Sequence, residues 1–226
     1  MTHPQQQALE EGLAQLGLAL SVRQIEQLLA YGDLIAKWNR VYNLTAIRHG
    51  DEILTHHLLD CLAALPALEA GIVPTSTHEH SAQTQVQPLP VRVLDVGAGA
   101  GLPGLIWAIA KPHWQITCLD TVQKKVVFMQ QAIGSLQLCN ARAVHARIEA
   151  WQPGQVFDVI TSRAFSSMSQ FIDLSQACLA PGGVFAAMKG RWETDQDVSA
   201  GWLVQAVCPL QVPFLTEARH LFLIRR

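Results

Sequence analysis

Residues Val91 to Gly104 read VRVLDVGAGAGLPG, and no other stretch narrows the choice of fold so far. Val91, Val93, Leu94 and Val96 make a short buried strand, apolar and β-branched, bounded by turn residues. Asp95 sits near its carboxyl end, and Gly97, Gly99 and Gly101 follow at alternate positions. A helix-like run, Leu105 to Ala110, comes next. Strand, glycine turn and helix together form the first unit of a doubly wound α/β sheet, whose ligand crevice lies beyond the strand ends. Glycine there lets the backbone turn tightly and lets a bulky ligand approach with no Cβ in the way.

The spacing bears on the ligand. A dinucleotide fingerprint is G-x-G-x-x-G, whereas here the glycines run G-x-G-x-G before Leu102-Pro103-Gly104. No Lys-Ser or Lys-Thr follows to make a phosphate-binding P-loop. A second acid, Asp120, closes the next apolar run, Ile116 to Leu119. A carboxylate at that strand end suits a ribose diol, as in NAD or S-adenosylmethionine. The plainer alternative makes Asp95 and Asp120 loop-facing acids with no ligand.

Half of the 226 residues are apolar, enough for one sizeable core, alone or with a small extension. No run approaches the roughly 20 apolar residues of a membrane span. The start, MTHPQQQALEEG, lacks a basic-then-apolar leader, so a cytoplasmic protein is expected. Cys61, Cys118, Cys139, Cys178 and Cys208 are scattered without a C-x-x-C pair, which fits a reducing compartment and gives no disulfide framework or zinc site. Net charge is −2 but unevenly spread. Residues 1–90 hold nine acids against four Lys and Arg, a balance of −5; residues 91–226 hold nine against twelve, a balance of +3. Lys124, Lys125, Arg142, Arg147, Arg163, Lys189, Arg191 and Arg219 fall near expected loops and strand ends, where they can form a phosphate-binding face or be ordinary surface charge.

In order along the chain, residues 5–17 predict a short polar helix. Ser21 and Gln24 make a capping box for a helix running to Asn39. Asp51 to Leu65 predicts another amphipathic helix. His56 and His57 on it do not share a helix face, so a capping or core role is expected of each. Residues 71–90 are rich in Pro, Ser, Thr and Gln and read as a polar linker. The His78-Glu79-His80 triplet within it has no distant third ligand and is not read as a metal site. Three organisational units follow: a helical extension over 1–70, the inserted linker over 71–90, and a core over 91–226. Within the core, strands are expected at Gln115–Asp120, Ala141–His145, Phe157–Ser162, Val184–Met188, Val207–Val212 and His220–Ile224. Helices are expected at Val122–Leu136, Ile172–Leu179 and Thr194–Ala206. Alternating elements of this kind give a mostly parallel sheet covered on both faces.

Six motifs then occur in order: Trp38-Asn39 with Tyr42-Asn43-Leu44-Thr45; His57 with Leu59-Asp60; Asp95 through Gly104; Ser162-Arg163-Ala164-Phe165; Met188-Lys189-Gly190; and Arg219-His220-Leu221. The glycine unit and the closing strand pair resemble the class I S-adenosylmethionine-dependent methyltransferases. The full set resembles the small-subunit ribosomal RNA methyltransferase G family and covers nearly the whole chain, the 71–90 segment being the departure. The resemblance implies a Rossmann-like, seven-stranded, mostly parallel sheet with helices on both faces and an N-terminal helical extension. It implies methylation of N7 of one guanine in 16S rRNA, with S-adenosylmethionine as cofactor and no metal, by a monomer that works on rRNA either free or within the small ribosomal subunit. By motif, Asp95, Gly97, Gly99, Leu102, Asp120, Ile148, Glu149 and Arg163 become cofactor residues. Lys124, Arg147, Lys189 and Arg219 become RNA residues.

Guanine N7 carries a lone pair and no proton, so no general base is expected, and none is evident in the sequence. The protein's work is placement, with N7 held about 3–3.5 Å from the methyl carbon. A nearby carboxylate or carbonyl suits the cationic product. The rival readings are a small-molecule methyltransferase, a non-catalytic S-adenosylmethionine-binding module, and a nicotinamide oxidoreductase, the last disfavoured by the glycine spacing.

Overall fold

The computed structural model describes residues 3–47, 50–72, 90–163, 165, 167–190 and 198–226. The His78-Glu79-His80 triplet, most of the expected linker and Arg191 lie outside the described residues.

Two hydrophobic clusters, one on each face of a single sheet, organise the chain. Alternation along each strand sends successive residues to opposite faces. Val93 therefore joins one cluster and Leu94 the other. The sheet contains β1 (Arg92–Val96), β2 (Gln115–Asp120), β3 (Ala141–His145), β4 (Phe157–Ser162), β5 (Leu179–Lys189), β6 (Leu203–Leu210) and β7 (Arg219–Arg225). Its order is β3-β2-β1-β4-β5-β7-β6. All pairings are parallel except those of β7 with β5 and β6.

One face is thickly covered. Helices α1 (Gln6–Gln15) and α2 (Val22–Tyr42) precede a broken helical stretch. That stretch contains α3 (Gly50–Ile53), a π-helical segment (Leu54–Leu59), α4 (Asp60–Ala63) and α5 (Leu65–Gly71). Together with α6 (Gly104–Ala110) and α7 (Gln123–Ser135) they bury the larger cluster. The opposite face is closed by α8 (Met168–Ser175), short 3-10 turns at Ile148–Ala150 and Gln176–Cys178, and Trp202.

The capping box forms as expected: Gln24 N donates to Ser21 Oγ and Ser21 N to Gln24 Oε1. The same helix also serves its neighbours. Gln24 Nε2 donates to the carbonyls of Ile109 and Ala110 at the end of α6, and Gln27 Nε2 to Leu136 at the end of α7. These are among the carbonyls that a helix cannot satisfy internally.

Three expectations need correction. The helix expected over Asp51–Leu65 is interrupted by the π-helical segment, which buries His57 beside Leu58 and Leu59. The helix expected over Ile172–Leu179 begins at Met168 instead, and the chain is already in β5 at Leu179. Pro181-Gly182-Gly183 does not end an element; it arcs out of β5 as a bulge, and pairing steps from Phe157–Leu179 to Val159–Val184. The helix expected over Thr194–Ala206 is replaced, in its described part, by the start of β6 from Leu203. Helix-forming Leu, Gln and Ala lose there to the backbone partners offered by β7. No helix among the described residues is long and apolar enough to cross a membrane.

Candidate functional site

Between β1 and β4 the strand order reverses, and a doubly wound sheet binds its ligand at that switch point. Ser162 Oγ donates to the Val96 carbonyl (2.8 Å) and holds the two strand ends together. Beyond β1, Gly97, Gly99 and Gly101 all adopt left-handed backbone, with φ of 70°, 62° and 82°. A side chain disfavours such angles, which gives the alternate glycines of the sequence their physical reason.

Asp120 laces this loop to the next. Its Oδ2 accepts from Gly99 N and its Oδ1 from Val122 N, both at 2.8 Å. Gly97 N and Ala98 N donate to the Leu119 carbonyl just before it. From behind, the fully buried Tyr31 on α2 donates its hydroxyl to the carbonyls of Ala100 and Gly101.

In front of this scaffold lies a cavity of about 360 Å³, within the usual size of a small-ligand site. Gly97, Asp120, Val122 and Lys125 form one wall, and Arg147, Ile148 and Glu149 a second. Phe165, Gln170 and Leu174 close it from the α8 side.

Asp95 lies beneath the loop with no exposed surface. Oδ2 accepts from Gly104 N (2.8 Å), while Oδ1 is buried with no hydrogen-bond partner among the described residues. Burial raises its carboxyl to about 7, against the pull of the Gly104 hydrogen bond and the Arg163 charge. The approach is close enough that a Cβ on Gly104 would meet Cys118 Sγ at 2.6 Å and Asp95 Oδ2 at 2.9 Å.

Beside the crevice, Asp60 binds two arginines from distant segments, one just after β4 and one at the start of β7. Its Oδ2 accepts from Arg163 Nη1 (2.8 Å) and its Oδ1 from Arg219 Nε (3.1 Å). Arg163 Nη1 also donates to the His56 carbonyl. Burial and the adjacent Arg163 cation depress His57 to about 4, so it is neutral and hydrogen-bonded to Thr45.

Of the cofactor residues proposed from sequence, Gly97, Asp120, Ile148 and Glu149 meet around the cavity. Asp95, Gly99 and Leu102 lie behind it in the loop scaffold. Arg163 does not line the cavity; its guanidinium turns to Asp60. Of the RNA residues, Arg147 lines the cavity and Lys124 is exposed on the first turn of α7. Lys189 ends β5 opposite His220, and Arg219 opens β7. Sequence reading missed the wall of Phe165, Gln170 and Leu174; Lys125, read from sequence only among possible phosphate-binding cations, lines the cavity. Phe165 stood within a motif singled out for its arginine, whereas Gln170 and Leu174 carry no local signal and reach the site only through the packing of α8.

A seven-stranded sheet in this order, reversed at β7 and opening a glycine-walled crevice at the switch point, defines the fold of the class I S-adenosylmethionine-dependent methyltransferases. Within that class the chain belongs to the rRNA small subunit methyltransferase G family, whose model matches residues 24–222. It is similar to the ribosomal RNA small subunit methyltransferase G of Cupriavidus necator, at 47% identity over 98% of this chain and 95% of that one. It is similar also to the protein of the same name from Laribacter hongkongensis, at 45% identity over 94% of each chain.

Proposed function

We propose that this chain transfers a methyl group from S-adenosylmethionine to N7 of a guanine in 16S rRNA. The carrying observation is the cavity at the switch point, with Gly97, Asp120, Ile148 and Glu149 around it, in a chain that belongs to this family along nearly its whole length. The residues fit the cofactor. Asp120 on the cavity wall suits a ribose diol, and the side-chain-free loop suits close approach of an extended ligand.

When bound, S-adenosylmethionine supplies a methyl group made electrophilic by its sulfonium. Asp120 would hold the ribose hydroxyls with the lone pairs its two backbone hydrogen bonds leave free. Ile148 and Glu149 would frame the adenine, and Phe165 and Leu174 would keep water out. Gly99 and Leu102 would act through the shape of the loop. Arg163 would act through Asp95, whose charge it partly offsets from its post on Asp60. Lys124, Arg147, Lys189 and Arg219 would hold RNA phosphates. Because guanine N7 is unprotonated, no residue is needed to remove a proton before attack. The major groove of A-form RNA is too deep and narrow for side chains, so the guanine would be presented unpaired or flipped. In this reading residues 91–226 are the catalytic core, 1–70 its helical extension and 71–90 an inserted linker. The protein works as a cytoplasmic monomer on the small subunit or its RNA.

The test incubates the purified chain and S-adenosylmethionine with small subunits from cells lacking it, then maps methylated guanines. One new N7-methylguanine in 16S rRNA is expected. Methyl transfer to a metabolite pool but not to RNA favours the small-molecule enzyme instead, and cofactor binding without any transfer favours the binding module.

A further inference from the structure

The Trp38-to-Thr45 motif has no part in the cofactor crevice, yet its aromatic residues reach the surface beside it. Helices α2 and α7 run antiparallel: Gln27 meets the end of α7 at Leu136, whereas Trp38 packs edge-on against Phe128 with centroids 5.4 Å apart. The carboxyl end of α2 therefore lies by the amino end of α7, the end whose Lys125 lines the cavity. Tyr42 stands 4.9 Å from Trp38, centroid to centroid, and is 42% exposed. Val41 (71%) and Val127 (41%) are exposed on the same two helix ends.

On these two helix ends the charge is of one sign. Lys37 and Lys124 are exposed there, and Lys124 lies one turn before Phe128, on the side of α7 that faces α2. No acid occurs on α2 after Asp33, nor anywhere on α7. Exposed rings among cations suit single-stranded nucleic acid, whose bases stack on the ring while its phosphates meet the cations. An apolar protein partner would not call for these cations.

Resting on the function proposed above, we infer that the ends of α2 and α7 form a stacking platform for the rRNA strand that flanks the target guanine. Tyr42 supplies the ring, Trp38 fixes its orientation, Val41 and Val127 extend the apolar surface, and Lys37 and Lys124 hold the phosphates.

The test measures methyl-transfer kinetics on unmethylated small subunits with Tyr42→Ala, Tyr42→Phe and Val41→Glu, alongside ultraviolet crosslinking of the wild type. Tyr42→Ala is expected to raise KM for the subunits about 5- to 100-fold, the loss of one stacked base, with Tyr42→Phe near the wild type. Val41→Glu, on a side chain too exposed to matter for folding, is expected to raise KM by adding a charge that repels phosphate. S-adenosylmethionine affinity stays unchanged in all three, and residues 38–42 crosslink to RNA bases. An unchanged KM in both Tyr42→Ala and Val41→Glu overturns the platform while leaving the methyltransferase reading intact. Crosslinks from residues 38–42 to a ribosomal protein instead of RNA overturn the choice of RNA as its occupant. A wild type that methylates no RNA overturns the function itself, and the platform with it.

Discussion

Asp60 and Arg163 lie 103 residues apart in the chain and form a 2.8 Å hydrogen-bonded ion pair, with the carboxylate 3% exposed. The pair ties the helical stretch of residues 50–71 to the loop after β4. Arg219 at the start of β7 completes it from the other side. A buried carboxylate facing two guanidinium groups is well compensated while all three remain. It becomes unfavourable as soon as one partner is removed.

Asp60→Ala is expected to destabilise the fold by about 3–5 kcal/mol, because it leaves Arg163 without its counter-charge in a poorly hydrated place. Asp60→Leu combined with Arg163→Met is expected to lose less than Asp60→Ala alone. Urea unfolding of the single and double variants measures both. Equal or greater loss in the double variant contradicts the electrostatic account.

Two glycine-to-alanine changes are expected to move stability in opposite directions. At Gly104 the added methyl meets Cys118 and Asp95 below 3 Å, so Gly104→Ala is expected to destabilise by about 1–3 kcal/mol and to weaken cofactor binding. At Gly134, within α7, nothing lies within 4 Å, and Gly134→Ala is expected to stabilise by roughly 0.5–1 kcal/mol. Thermal midpoints and calorimetric titration with S-adenosylmethionine separate the two.

His57 and Asp95 are expected to give opposing dependences of stability on pH. Native His57 titrates near 4 and unfolded histidine near 6.5, so between these values the unfolded chain holds the extra proton and stability rises with pH. Native Asp95 titrates near 7 and unfolded aspartate near 3.8, so the native state holds the extra proton and stability falls with pH across that range. The two slopes, each at most about 1.4 kcal/mol per pH unit, oppose each other in the wild type between pH 4 and 6.5. Relative to the wild type, His57→Gln is expected to lose stability as pH rises from 4 to 6.5, and Asp95→Asn to gain it. Denaturant midpoints at pH 4.5, 5.5 and 6.5 test the signs, and parallel curves for all three proteins refute them.

Tyr31→Phe is expected to weaken the crevice without touching it. The change leaves the Ala100 carbonyl short of a buried donor, a loss of about 1–3 kcal/mol. Hydrogen exchange at Gly99 to Leu102 is expected to quicken, and an unaltered exchange rate there counts against any hold by α2 on the loop.

The strands that hold the crevice were the most legible part of the sequence. β2, β3 and β4 fall on the residues expected, β2 and β4 because each is a short apolar run between turn signals, while β3, ARAVH, carried a weaker signal. The capping box at Ser21 was equally plain, since its chemistry is local. Legibility failed where distant partners decide. Pro181-Gly182-Gly183 looks like a stop in one dimension and is a bulge only because β4 waits beside it. Leu203 to Ala206 has helical composition but takes the edge of a sheet. At the site, the glycines and Asp120 announced themselves, whereas the posting of Arg163 on Asp60 depends on a contact that no spacing rule reports.

Gln24 and Gln27 reach across from α2 to close the ends of α6 and α7, the two helices that cross over behind the cofactor strands. Those helices are therefore finished by side chains supplied from outside the sheet domain. A truncated chain starting at residue 91 would still spell the whole glycine motif but would leave three carbonyls without these donors and strip α6 and α7 of the apolar cover that α1 to α5 lay over them. Shortening this enzyme from its front end removes part of its foundation along with any ornament.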